Sequence, residues 1–300
     1  MNYRNLNKLK ILNKYPLQLI GELKARVAGA TIFTKLDLKD RYHVLGIQEE
    51  EEWKTAFQTL YGHLEYKVMP FGLVNAPATF QAKLNKILRE FLDPGVVVYR
   101  DDILINSKTE EEHIELARKV LDRLAKHQLA GSVTKSVFHV KSVEFFGYIV
   151  ATNGVIMSHQ KVDSNKNSKP PRAIKEVQIF IGFANFYQQF IKDCSKICTP
   201  ITETLKDDKT KFYWESKQNL AFEEVKTRFI TVPISEHFYP DQETVIDVHA
   251  SDFALGCVLL HFKEKRLHPV AFHSRKLNDA ERNYEIHAKE LLTILEVFKK

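Results

Sequence analysis

The chain has 300 residues, with 44 Lys and Arg against 38 Asp and Glu, a net charge of +6 and an isoelectric point near 9.0. Hydrophobic content of 44% and charged content of 27% exclude wholesale disorder, and no apolar run approaches the roughly 18 residues that cross a bilayer. At roughly 100–200 residues per domain, the length suggests two domains, or one domain with subdomains.

The cysteines are Cys194, Cys198 and Cys257, too few for a disulfide framework. The i,i+4 step between the first two suits one helix face and does not match the CxxC spacing of a zinc or redox motif. The N-terminal MNYRNLNKLK is basic but lacks the apolar stretch of a signal peptide. The expected setting is a reducing one inside the cell, cytoplasmic or nuclear, with no secretion and no membrane.

Positive charge is concentrated in two places. Residues 1–28 hold Arg4, Lys8, Lys10, Lys14, Lys24 and Arg26 against Glu22, a local +5. Residues 159–176 hold Lys161, Lys166, Lys169, Arg172 and Lys175 against Asp163 and Glu176. Such clusters suit phosphate neutralisation or serve as solvated surface, and charge alone does not separate the two.

In chain order, TIFTKLDL (31–38) and GVVVYRDDILINS (95–107) read as strands, the second folded into a hairpin with its tip at Arg100-Asp101-Asp102. Between them, 75–92 reads as a helix presenting Phe80, Leu84, Ile87, Leu88 and Phe91, with Pro77 in its first turn. A second helix over 109–129 places Ile114, Ala117, Val120, Leu121 and Leu124 on one face, acids leading and bases following as the helix dipole prefers. VEFFGYIV (143–150) reads as one strand before the turn Asn153-Gly154. The polar stretch 159–172, closed by Pro170-Pro171, reads as a linker. A helix over 173–191 carries Val177, Phe180, Ile181, Ala184, Tyr187 and Ile191 on one stripe, and another covers 217–230. From 244 the texture becomes three alternating strands and then a helix over 285–300.

The residues that carry chemistry are Asp37 at a strand end and Asp101-Asp102 at the hairpin tip. Clustered carboxylates raise one another's pKa, and divalent cations remove that cost. Two such ions about 3.5–4 Å apart can serve a phosphoryl transfer. An exposed Asp-Asp turn is the plainer alternative.

The words around these residues are informative as a set. KLDLKDRYH (35–43), MPFGLVNAPATFQ (69–81) and VVVYRDDILINS (96–107) closely resemble, in that order, the polymerase motifs of gypsy-type long-terminal-repeat retrotransposon reverse transcriptases. Downstream, FFGYIVATNGVIM, EVQIFIGFANFYQQFIKDCSKICTPITETLK and HPVAFHSRKLNDAERNYEIHAKELLTIL resemble that family's thumb, connection and entry into ribonuclease H. The resemblance implies an α/β (α+β) fold: a right-hand polymerase with palm, fingers, thumb and connection, followed by a partial ribonuclease H-like βββα domain. The implied boundaries are 1–150 for palm and partial fingers, 151–240 for a helical thumb and connection, and 241–300 for a truncated ribonuclease H-like domain.

Carried over residue by residue, the resemblance makes Asp37, Asp101 and Asp102 the catalytic metal ligands. Tyr42 becomes the aromatic gate under the nucleotide sugar, and Phe71 and Gly72 line the incoming nucleotide. Asn75, Pro77 and Gln81 meet the template, and Tyr99 braces the primer end. The implied partners are an RNA template, a DNA primer or RNA–DNA hybrid and deoxynucleoside triphosphates, with Mg²⁺ as cofactor and Mn²⁺ as a substitute. The oligomeric state is left open. Two departures touch this site: Arg100 stands where the family has a small or medium apolar residue, and Arg41 where it has a small one, often Gly. Arg100 is expected to pair with Asp37 or Asp102 and displace the metal.

In VIDVHASDFALG, His249 replaces the first ribonuclease H Asp, whereas Glu290 matches the helix-borne Glu. Imidazole is a poor ligand for Mg²⁺, and Asp247, about 6.6 Å along the strand, is too far to substitute. Asp252 is expected to cap a turn. The ribonuclease H remnant is therefore expected to be inactive. Cys257, His261, His268 and His273 have no zinc-site spacing and read as packing and surface residues. Two functions stand open at this point: an RNA-directed DNA polymerase, or a degenerate relative that binds nucleic acid and catalyses nothing.

Overall fold

A computed structural model describes residues 1–16, 25–92, 95–205, 212–231, 235–263 and 265–298. They form two compact units, Met1–Phe146 with Val150–Thr152, and Gly147–Ile149 with Asn153–Lys300. Lys24 and Glu22, counted in the N-terminal basic cluster, lie outside the described residues.

In the first unit the strands are β1 (Ile32–Asp37), β2 (Phe57–Thr59), β3 (Gly62–Leu64), β4 (Val96–Tyr99), β5 (Asp102–Ser107) and β6 (Val137–Val140). β2 and β3 form a separate hairpin, and the others an antiparallel sheet in the order β4-β5-β1-β6. Because strand side chains alternate between faces, Leu36, Val98 and Ile103 share the face of the apolar core. They pack with Phe80, Leu84, Ile87 and Leu88. Those four come from the expected helix, which runs Ala76–Ile87 with Pro at its start and continues into the short turn Arg89–Phe91.

The helix Glu110–Lys126 begins at a capping box in which Thr109 and Glu112 satisfy each other's backbone N–H groups. Its buried face departs from the expected stripe. Val120 and Leu124 are buried, but Ile114 and Leu121 are exposed and His113 takes the buried place. The reason is polar: His113 Nε2 shares a 2.7 Å hydrogen bond with Thr34 Oγ1, which also accepts from the His139 backbone N–H at 3.1 Å. His139 sits at φ 54, where the β1–β6 register shifts, a bulge that aims its backbone at Thr34.

The strand expected over 143–150 is two strands, β7 (Ser142–Phe145) and β8 (Tyr148–Ala151), followed by β9 (Gly154–Met157). Phe146 and Gly147 between them have φ of 54 and 77, the positive pair that a two-residue hairpin turn needs. A single Gly in an otherwise apolar run concealed this reversal.

In the second unit the expected linker is partly helical, over His159–Lys166. Its sequence is too polar to advertise a buried face. Packing against the helix Ser216–Ile230 stabilises it, with Asn165 buried and Lys226 Nζ donating to the Ser168 carbonyl at 3.1 Å. Val177, Phe180 and Ala184 of the helix Ile174–Phe186 are buried, as are Phe222, Val225 and Phe229 of Ser216–Ile230. Their rings meet as the pairs Phe180–Phe222 at 4.7 Å and Phe183–Phe229 at 5.2 Å. Cys194 and Cys198 are buried free thiols with sulfurs 4.0 Å apart, one helical turn from each other.

β10 (Thr244–Ala250), β11 (Ala254–Lys263) and β12 (Arg266–Lys276) form the expected antiparallel sheet, and the helix Ile286–Val297 packs on β10 and β11. Cys257 pairs across strands with His273, and His261 with His268. Among the described residues no helix is long and apolar enough to cross a membrane.

Burial, and secondarily His139, lowers the pKa of His113. A base whose folded pKa is depressed is protonated first in the unfolded state, so stability falls as pH drops through the ordinary histidine value of about 6.5 and below. His113→Asn is expected to flatten that part of the stability profile. Urea denaturation from pH 8 to pH 5 measures it, and an unchanged slope would contradict the assignment.

Candidate metal centre

Antiparallel register decides the site. Asp37 of β1 and Asp102 of β5 are direct cross-strand partners, and Asp102 also pairs with Tyr99 of β4. Asp37 and Asp102 therefore share one face at one end of the sheet, opposite the apolar core. Asp101 adds a third carboxylate from the tip, where Arg100 takes φ 55 to turn the chain. Ligand oxygens of Asp37, Asp101 and Asp102 lie within 4.8 Å of one another.

Like charges directly opposite across a sheet are unfavourable, and these groups are largely screened from water. Burial raises the pKa of Asp101, opposed chiefly by Arg41. Burial likewise raises that of Asp102, opposed by Lys35 and reinforced by Asp101 and Asp37. Three clustered hard oxygen donors, with burial disfavouring the ionised forms of Asp101 and Asp102, are chemically matched to a hard divalent cation.

A cation of the protein's own marks the same place. Arg41 Nη1 lies 2.6 Å from Asp101 Oδ2, and Nη2 lies 3.3 Å from Asp37 Oδ2. The expectation for Arg100 is corrected: its guanidinium lies over the Tyr99 ring, 5.7 Å from the centroid, and makes no ion pair with Asp37 or Asp102. The left-handed backbone at Arg100 turns its side chain onto Tyr99, whereas Arg41, four residues beyond Asp37, reaches the carboxylates of Asp37 and Asp101.

Gln81, expected at the template, is buried with its side chain committed to the hairpin. It is 1% exposed, and its side chain braces the hairpin: Nε2 donates to the Val98 carbonyl at 3.0 Å, and Oε1 accepts from the Arg100 backbone N–H. Tyr42 is held edge-on between Phe71 at 5.2 Å and Phe80 at 5.8 Å, with burial the main cause raising its phenol pKa. Gly72 has φ 96, and its carbonyl accepts from Asn7 Nδ2 at 2.8 Å. Asn75 Oδ1 accepts from the Asn13 backbone N–H at 3.0 Å, and its Nδ2 donates to the Ile11 carbonyl at 2.9 Å. Pro77 sits in the helix's first turn.

Phe146 escaped the sequence reading. Its ring lies 3.8 Å from that of Tyr99, and only the unrecognised turn in 143–150 would have signalled it. Ser136 Oγ, accepting from the Asp37 backbone N–H at 3.2 Å, was missed as well. A cavity of about 500 Å³ beside the triad is lined by Asp37, Lys39, Arg41, His43, Phe71 and Lys135.

In the second unit, His249 Nε2 faces Asp247 Oδ2 at 3.0 Å. Glu290 is on the terminal helix, with His287 Nδ1 at 4.0 Å. Asp252 pairs with the nearly buried Lys289 at 3.1 Å, tying its turn to the helix. His249 and Glu290 belong to no group of three or more potential ligands converging within 4.8 Å among the described residues.

Residues 1–150 match the family described as reverse transcriptase (RNA-dependent DNA polymerase), and residues 214–300 match the RNase H-like domain found in reverse transcriptase. The chain belongs to the reverse transcriptase family. Among its relatives are the transposon Tf2-3 and Tf2-7 polyproteins of Schizosaccharomyces pombe, each 37% identical over 300 residues, 100% of this chain. The chain spans 22% of the length of these relatives.

Solved structures agree on the fold. The foamy viral protease-reverse transcriptase in complex with dsDNA aligns with a TM-score of 0.85 at 24% identity, over 100% of this chain and 62% of that one. The dRH form with ds DNA aligns at 0.87 and 23% identity, over 99% and 52%. At such identities the likeness is one of fold, and it supports the expected mixed α/β polymerase architecture with a ribonuclease H-like segment.

Gln81→Ala is expected to leave the Val98 carbonyl and Arg100 N–H without their buried partner, costing about 1–3 kcal/mol. Urea denaturation of the variant measures this. A loss below about 0.5 kcal/mol would mean that the hairpin is held by other contacts.

Proposed function

We propose that this chain is the RNA-directed DNA polymerase portion of a long-terminal-repeat retrotransposon polyprotein, extending a DNA primer on an RNA template with deoxynucleoside triphosphates. The observation that carries the reading is the convergence of Asp37, Asp101 and Asp102 within 4.8 Å. The three carboxylates would hold Mg²⁺, with Mn²⁺ as a substitute. When bound, such ions supply the charge that eases 3′-hydroxyl attack on the α-phosphate and departure of pyrophosphate.

The chain's own residues supply position. Gln81 sets the height of the hairpin tip, and Tyr42, fixed between two rings, offers a rigid surface for a sugar. Phe71 and Gly72 would line the incoming nucleotide, and the Tyr99–Phe146 pair would support the primer end. Residues 1–150 would form palm and partial fingers, 151–240 thumb and connection, and 241–300 a ribonuclease H-like domain. The foamy viral relatives are described in complex with dsDNA and RNA/DNA hybrid, and the same duplexes are proposed as ligands. Asn75 and Pro77 would border the template, with Asn75 acting through its hold on the 11–13 segment. The histidine at 249, paired to Asp247, supports a ribonuclease H-like unit that does not cleave.

A second reading is favoured by one observation: Arg41 already neutralises two of the three carboxylates. On that reading the chain binds nucleic acid through its basic surfaces and does not polymerise.

Primer extension on homopolymer RNA with Mg²⁺ or Mn²⁺ separates the two. The polymerase reading expects extension that Asp101→Asn-Asp102→Asn lowers by about 10³-fold or more. Absence of extension, with duplex binding that weakens with salt at a log–log slope of about −0.9 per phosphate contact, supports the second reading. No duplex binding at low salt contradicts both.

A further inference from the structure

The triad's ion pairs involve one guanidinium at two carboxylates, with Nη1 2.6 Å from Asp101 and Nη2 3.3 Å from Asp37. Arg41 belongs to the short turn Arg41–Val44, and its side chain is 35% exposed against 15% and 12% for its partners. The carboxylates are fixed by the sheet, whereas the arginine is a long side chain at a water-facing edge that a rotamer change can move. The neighbouring cavity of about 500 Å³ is lined by three cations, Lys39, Arg41 and Lys135, together with His43, against two carboxylates, Asp37 and Asp40. A wall of that composition is suited to a polyanion, and guanidinium exchanges readily between carboxylate and phosphate because both accept paired N–H bonds.

We infer that Arg41 is a specificity-determining residue: it holds the cation seat of the triad until a nucleoside triphosphate draws it onto phosphate, so the divalent cation enters with the nucleotide rather than alone. This rests on the divalent-cation reading of the triad. A bare cation must break the ion pairs of Arg41 and then sit beside its positive charge. A cation carried by a triphosphate brings acceptors for the displaced guanidinium, so one charge-assisted pair replaces another. Tyr42, held between Phe71 and Phe80, limits the backbone movement that accompanies the exchange.

The test is Mn²⁺ binding by electron paramagnetic resonance on the full chain. Wild type, Arg41→Ala and Asp101→Asn-Asp102→Asn are titrated with and without a non-hydrolysable deoxynucleoside triphosphate analogue. Thermal melting of each variant establishes that it is folded. Removing Arg41 is expected to tighten binding of Mn²⁺ alone by about tenfold, a modest factor because the pair is partly solvated. The nucleotide is expected to improve Mn²⁺ binding more in wild type than in Arg41→Ala. Equal Mn²⁺ affinity in wild type and Arg41→Ala, with loss only in the double Asn variant, overturns the inference and leaves the triad reading standing. Identical binding in all three proteins overturns the triad reading, and the inference with it.

Discussion

Electrostatic repulsion among three carboxylates at one end of a four-stranded sheet is the constraint around which the first unit is arranged. The pairing of Asp37 with Asp102 places like charges opposite each other, and the tight tip adds Asp101. Nothing in the hydrophobic pattern requires this, because a strand end tolerates polar residues of any sign. The arrangement persists because the apolar face of the same strands is committed to the core through Leu36, Val98 and Ile103. A register slip by one residue would exchange those side chains with the carboxylate face and break the pairing of Asp37 with Asp102. Core packing thus holds the charges together, and cations relieve the cost.

The surrounding contacts fall into two kinds. Gln81, Ser136 and the Ser132 backbone N–H, which donates to the Asp37 carbonyl at 2.7 Å, fix backbone and leave the carboxylates free to act. Arg41 and Lys35 act on the charge itself. The first kind makes the site rigid, and the second makes it responsive to what enters. Tyr42 stands between the two, adjacent to Arg41 in sequence yet locked by rings into the core.

The second unit reverses this logic at the corresponding chemistry. Its sheet carries His249 against Asp247, and its terminal helix brings Lys289 to Asp252. Asp247 and Asp252 are thus each matched to a basic side chain, and among the described residues of this unit no three potential ligands converge within 4.8 Å.

Much of the architecture was legible in the sequence: the palm strands, the helices over 76–87 and 110–126 and the βββα segment follow from periodicity, capping residues and turn signals. These are local properties, written within a few residues of where they act. The three carboxylates that converge could be named from their motifs. What the sequence did not determine depends on partners distant along the chain. The 159–166 helix exists because another helix covers it, and the reversal at Phe146-Gly147 rests on two residues at positive φ. His113 is buried because Thr34 and a bulge at His139 receive it. As sequence, Arg100 and Arg41 are two guanidiniums near one triad, and the pairing is expected of Arg100. Only tertiary structure decided between them, because the left-handed turn at Arg100 sends its side chain over Tyr99 while the turn after β1 aims Arg41 at the carboxylates.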